Sequence, residues 1–203
     1  MTAAVEAFLD SEEESLLLRI ARDSLNAYLR DEVRIDVSGY PLTPPLQERH
    51  GAFVTLRLGG ELRGCIGHTR SIESLAEAVR DNAINAAVRD PRFPPLTLEE
   101  LARTHIEISA LCPGAAPDTP FIPVGDISEI VIGRDGLYLD HAGSRGGGLL
   151  LPQVATERGW DVRQFLEALC TKAGAEPGAW KDPGCELFRF SAQVFGESSE
   201  ENG

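Results

Sequence analysis

The chain has 203 residues, of which 42% are hydrophobic and 25% charged, and its formal net charge is −13. A chain of this length buries roughly 70% of its unfolded surface, so it needs neither disulfides nor a metal to hold a core. The negative charge repels phosphate backbones and acidic membrane surfaces, which argues against nucleic-acid binding.

The first residues lack a basic segment followed by an apolar run, and no stretch reaches about 18 apolar residues. Both features read as a cytoplasmic chain with no membrane span. Cys65, Cys112, Cys170 and Cys185 are widely spaced and form no C-x-x-C pair. They read as free thiols rather than a zinc framework.

Ser11 and Glu14 have capping-box spacing and open a predicted helix with the stripe Leu17, Leu18, Ala21, Leu25, Tyr28 and Leu29. Pro41, Pro44 and Pro45 then break regular structure. Ala52 to Leu58 and Glu61 to Ile66 read as two strands joined by the turn pair Gly59-Gly60. Ile72 to Val88 is an amphipathic helix whose inward alanines suit close packing on a sheet. Thr97 and Glu100 cap a short helix, and His105 to Leu111 alternates as a strand. Glu129 to Gly133 and Leu137 to His141 flank Asp135-Gly136, which predicts a second hairpin. Pro152 starts a short helix; Asp161 and Gln164 cap another that Gly174 ends; a last strand runs from Glu186 to Val194. Hairpins outnumber βαβ units, so the expected fold is α+β with a largely antiparallel sheet and flanking helices.

Three stretches carry chemistry. In Leu62-Arg63-Gly64-Cys65-Ile66-Gly67-His68, two glycines flank the thiol and open it to backbone or ligand. Arg63 and His68 are cationic candidates that would lower its pKa. The same pattern also fits a small buried cysteine beside turn glycines. In Arg89-Asp90-Pro91-Arg92-Phe93-Pro94-Pro95-Leu96, prolines stiffen a loop in which Arg92 offers a fork for a carboxylate or phosphate. Equally, Asp90 could pair with Arg92 to hold the loop. Gly143-Ser144-Arg145-Gly146-Gly147-Gly148 fits an anion cradle or a hairpin loop, and it lacks the Lys-Ser/Thr of a P-loop.

The first two of these stretches, the second with Asn82 and Ala86-Ala87 before it, followed by Ile106-Glu107-Ile108-Ser109, Leu151-Pro152-Gln153-Val154-Ala155, Gly159-Trp160-Asp161 and Cys170-x-Lys172-Ala173-Gly174, resemble in order the blocks of the AMMECR domain family, of the AmmeMemoRadiSam system protein A type, from which the glycine-rich Arg145-Gly146-Gly147-Gly148 departs. The resemblance covers residues 12–195 as a single domain, leaving 1–11 and 196–203 as flexible termini. It implies two unequal lobes around a cleft. It also implies partnership with a Memo-like protein and a radical S-adenosylmethionine enzyme.

The leading functional expectation is a small-molecule or modified-residue enzyme component. Cys65 would be its nucleophile, with His68 as base or cationic neighbour and Arg63 or Arg92 as anion holder. Gly64 and Gly67 would shape the site, and Asp90 and Glu107 are candidate orienting carboxylates. The alternative is a non-catalytic binding or adaptor module of the same system; an RNA-modification-linked nucleic-acid binder stands behind both. The sequence names no cofactor, and Cys65 with His68 supplies two ligands where a closed zinc site takes about four.

Overall fold

The computed structural model describes residues 7–70, 72–114, 119–141 and 147–197. The terminal segments 1–6 and 198–203, and residues 143–146 of the glycine-rich stretch, lie outside them. The fold is α+β, and the chain divides into two compact units. One comprises Ala7–Leu111 and the chain from Gln193 onward; the other is Cys112–Ala192.

In the first unit, helix α1 (Ser11–Asp31) is capped by Asp10, whose side chain accepts from the Glu12 and Glu13 N–H groups. The Glu13 carboxylate returns to the Asp10 N–H at 2.9 Å. The cap therefore sits one residue before the predicted Ser11, because aspartate caps as well as serine and adds a charge favourable at a helix N-terminus. Short α2 (Pro44–Gln47) follows the prolines. Strands β1 (Ala52–Leu58) and β2 (Glu61–His68) form the predicted hairpin. Gly59 and Gly60 supply φ of 61° and 86°, the positive pair that a type I′ turn requires. Helix α3 (Leu75–Val88) starts at a Ser74–Glu77 capping box, later than Ile72, which is 85% exposed. The predicted Thr97–Glu100 box opens α4 (Leu98–Leu101), and β3 (Thr104–Leu111) completes an antiparallel β2-β1-β3 order.

Side chains alternate across a strand, and here one face is apolar. Val54, Leu56, Ile106, Ile108 and Ala110 join Leu17, Ile20 and Leu25 of α1 and Val79 and Ala83 of α3 in one core. Helix α3 seats directly on β2. A Cβ at Gly64 would stand 2.1 Å from the Ala86 carbonyl oxygen.

In the second unit, β4 (Ile122–Pro123), β5 (Asp135–His141) and β6 (Gly148–Leu150) precede α5 (Pro152–Arg158), α6 (Val162–Ala173) and the part of β7 (Cys185–Gly196) that runs to Ala192. Strand β5 pairs antiparallel with β6 and β7, and β4 pairs with β7. Leu137 and Leu139 of β5 meet Phe165, Leu166 and Leu169 of α6 in a second core. Pro152 and the Asp161–Gln164 box start their helices as predicted, and Gly174 ends α6 at φ 69°.

Two expectations are corrected here. Asp135-Gly136 is not a turn but the start of β5. The Asp135 carboxylate accepts from the Val131 N–H at 2.8 Å and from Arg134, and a Cβ at Gly136 would meet the Phe190 ring at 2.4 Å. The glycine makes room for an aromatic ring rather than for a backbone reversal. The expected flexible segments 1–11 and 196–203 also contain described residues, Phe8, Leu9 and Glu197, that are tied into the fold. Gln193, in the last four residues of β7, accepts from the Phe8 and Leu9 N–H groups at 3.1 Å each. Glu197 accepts from the Ile106 N–H at 2.9 Å and pairs with Arg22. No helix among the described residues is long and apolar enough to cross a membrane.

Candidate functional site

The site is built on the β2 edge. In an antiparallel ladder alternate residues turn their N–H and C=O groups away from the neighbouring strand, and at those positions the facing side chains come closest. Cys65 is such a residue. It pairs with Thr55 of β1, and the Thr55 hydroxyl lies 3.3 Å from its Sγ. Its outward backbone groups are taken by the loop after α3. Asp90 Oδ2 accepts from the Cys65 N–H at 2.9 Å, and Arg92 Nη2 reaches the Cys65 carbonyl at 3.5 Å. Arg92 is itself bidentate on Asp90, Nε to Oδ1 at 2.9 Å and Nη2 to Oδ2 at 2.6 Å. An ion pair therefore closes the sheet edge at one residue, whose N–H and C=O groups would otherwise invite another strand.

The pair is lopsided in exposure. The Asp90 side chain is 2% exposed, whereas that of Arg92 is 53% exposed and its Nη1 donates to none of the described residues. The Arg92 guanidinium holds the Asp90 carboxyl well below the usual carboxylate range. Burial pushes the half-buried Cys65 thiol up, with Asp90 and Glu107 adding to that, while Thr55 and Arg92 oppose it. The sulfur is thus a neutral thiol near pH 7, not the activated thiolate that cationic neighbours would produce.

Asp90 and Arg92 are brought to Cys65. Arg63 is not. The β1–β2 register shifts beside it, with Leu56 opposite Gly64 and Arg57 opposite Leu62. That bulge leaves Arg63 without a β1 partner and aims it at the proline loop. Its guanidinium binds Glu100 at 3.0 Å twice and the Pro94 carbonyl at 2.9 Å, so it braces the loop that carries Arg92. Arg63 in turn draws the Glu100 carboxyl down to about 2. His68 lies at an odd spacing from Cys65 along a strand, so the two side chains point to opposite faces. The i, i+3 spacing that would join them on a helix separates them here. The two glycines have packing reasons. Gly64 admits α3, and a Cβ at Gly67 would meet the Phe53 ring at 2.4 Å.

Thr55 went unread in the sequence. Only the strand register singles it out, and the same register places Glu107 of β3 on its other side. The row Cys65, Thr55, Glu107 crosses three strands on the face turned away from the α1 and α3 core. Among the described residues no group of three or more His, Cys, Asp or Glu side chains is placed to hold a metal ion.

The AMMECR1 family model matches residues 18–195. A protein of Thermofilum pendens is 40% identical over 201 residues, spanning 94% of this chain and 92% of its own. Protein MJ0810 of Methanocaldococcus jannaschii is 42% identical, spanning 93% and 92%. The crystal structure of the uncharacterized protein PH0010 from Pyrococcus horikoshii superposes with a TM-score of 0.81 at 38% identity, covering 90% of each chain.

Proposed function

This chain belongs to the AMMECR1 family, and from that premise and the geometry at Cys65 we propose that it is a component of an enzyme system acting on a small molecule or a modified residue, with Cys65 as its working group. The observation that carries the reading is a partly accessible thiol whose own backbone carbonyl is met by a half-exposed guanidinium. A thiol supplies a nucleophile or covalent anchor. The outward face of Arg92 supplies a planar donor pair for a carboxylate or phosphate on the same ligand. The natural partners are those of the resemblance, a Memo-like protein and a radical S-adenosylmethionine enzyme. Cytoplasmic location fits the thiols and the four free cysteines.

A second reading, a binding or adaptor module without chemistry of its own, draws support from the upward-shifted thiol. A neutral thiol is a weak nucleophile unless a base takes its proton. The two readings part on Cys65→Ser and Cys65→Ala. If the sulfur reacts, both variants melt near the wild type, within about 1 kcal/mol, and neither complements a deletion strain. If Cys65 serves only packing or binding, Cys65→Ala complements and any defect follows lost stability. Mass spectrometry of metabolites retained by the wild type and lost from Cys65→Ser identifies the ligand.

A further inference from the structure

The second unit carries a sheet face that plays no part in the chemistry at Cys65. Leu137 and Leu139 of β5 pack with α6 in the second core. Side chains alternate along a strand, so Tyr138 and Asp140 fall on the other face. The register sets Tyr138 opposite Phe188 of β7 and, two residues on, Asp140 opposite Glu186. The first of these rows is aromatic. The Phe121 ring stacks on Tyr138 with centroids 4.7 Å apart, and it lies 5.9 Å from Phe188 and from Phe190. Phe190 is fully buried, while Phe121, Tyr138 and Phe188 stay partly exposed. The second row is a pair of carboxylates, both on exposed residues. Neither Asp140 nor Glu186 has a hydrogen-bond or ion-pair partner among the described residues.

We propose that this face docks a basic segment of a partner protein through an arginine side chain, with the guanidinium between Asp140 and Glu186 and the stem along Tyr138 and Phe188. Like charges directly opposite on neighbouring strands destabilise a sheet, and a cation placed between them removes that repulsion. Residues so paired hold their Cβ atoms about 4.5–5.5 Å apart, close enough for two carboxylates to converge on one planar guanidinium. The aromatic row beside them suits the same side chain, since arginine lays its apolar stem on apolar surface and its head stacks on rings. A lysine ammonium is a compact point charge and gains less from both features. The net charge of −13 draws a basic partner toward the molecule. Small-molecule sites bury most of their ligand in a concavity. An exposed strand face with exposed carboxylates instead meets a partner that brings its own surface, and tyrosine and phenylalanine are enriched where proteins meet.

The test is fluorescence anisotropy of a short fluorescein-labelled Arg-Gly repeat peptide titrated with the full-length protein. Asp140→Asn and Glu186→Gln should each weaken binding about fivefold, the upper range for an exposed charge pair. Neither variant should lower the melting temperature, because each relieves a like-charge pair. Tyr138→Leu should weaken binding, whereas Tyr138→Phe, which keeps the ring, should retain it. Glu61→Gln removes an exposed charge from the first unit and should leave binding unchanged. Amide chemical-shift changes on adding the peptide should cluster at Tyr138, Asp140, Glu186 and Phe188. Equal weakening by Glu61→Gln, or shifts scattered over both units, would reduce the effect to general charge attraction and overturn the site. So would a peptide that does not bind, or a loss of stability in Asp140→Asn or Glu186→Gln, which would give the carboxylate row to the fold instead. A Lys-Gly repeat that binds equally well would overturn the choice of arginine. Ethylguanidinium should compete far more weakly than unlabelled peptide, and equal potency would assign the face to a small cation rather than a protein partner. None of these outcomes bears on Cys65, so the docking face stands or falls apart from the chemistry proposed there.

Discussion

Asp90 holds three donors with one carboxylate: the Cys65 N–H, the Arg92 N–H and the Arg92 guanidinium. All three favour its ionised form, so its folded pKa lies below that of the unfolded chain, about 3.9. The unfolded state then binds the proton first as pH falls. The contribution of Asp90 is complete above about pH 5 and is lost progressively as pH drops through 4 toward its folded value. Asp90→Asn keeps the shape and loses the charge, which should cost about 2 kcal/mol at neutral pH. Urea unfolding of both proteins at several pH values checks this: the gap between wild type and variant narrows below about pH 4. A gap that stays constant down to pH 3 would show that the charge of Asp90 contributes nothing.

The β1–β2 hairpin, at the scale of elements, separates two kinds of glycine. Gly60 has φ of 86° with open space where a Cβ would go, so its role is backbone freedom alone. Gly64 has an ordinary φ and no space, because the α3 backbone occupies it. Gly60→Ala should therefore cost about 1 kcal/mol. Gly64→Ala must push a helix off a strand and should cost about 3 kcal/mol, the upper range for overpacking. Thermal melts of the two variants rank them, and equal losses would contradict the seating of α3 on β2. The same hairpin shows why the site was only partly legible. A two-residue turn at Gly59-Gly60 with regular pairing would set Cys65 opposite Val54, on the core face. The bulge at Arg63 shifts the register by one and sets it opposite Thr55 instead. A one-residue slip exchanges the two faces of a strand, and here it decides whether the thiol packs or meets polar groups.

At the scale of the whole chain, described residues near its two ends are held by side chains far apart in sequence. Glu197 accepts from the Ile106 N–H and from Arg22, which also donates to the Leu101 and Thr104 carbonyls. Glu197→Ala would leave a backbone donor and a guanidinium short of a partner and should lower stability by about 2 kcal/mol. Glu186, exposed on β7, carries the same charge in a chain at −13. Its alanine variant should stay within about 0.5 kcal/mol. Chemical denaturation of both variants distinguishes a specific tie from relief of general charge repulsion, which would move the two alike.

Much of the architecture was readable because it is local. Capping boxes at Thr97 and Asp161, the Gly59-Gly60 turn, the Pro152 start and the Gly174 end each arise from a few neighbouring residues satisfying their own backbone groups. The alternation of Ile106, Ile108 and Ala110 likewise announced a strand with one apolar face. The α+β class and the family followed from their order. What the sequence left open required partners from elsewhere in the chain. Asp135-Gly136 has turn composition but serves an ion pair and an aromatic ring. Arg63 sits beside Cys65 in sequence yet binds the proline loop, whereas Arg92, far along the chain, reaches the Cys65 carbonyl. Thr55 acquires its place beside the sulfur only when a bulge sets the register. Side-chain identity and short-range spacing determine elements, but which residues share a face depends on strand register, and register is settled by burial and packing of the whole fold.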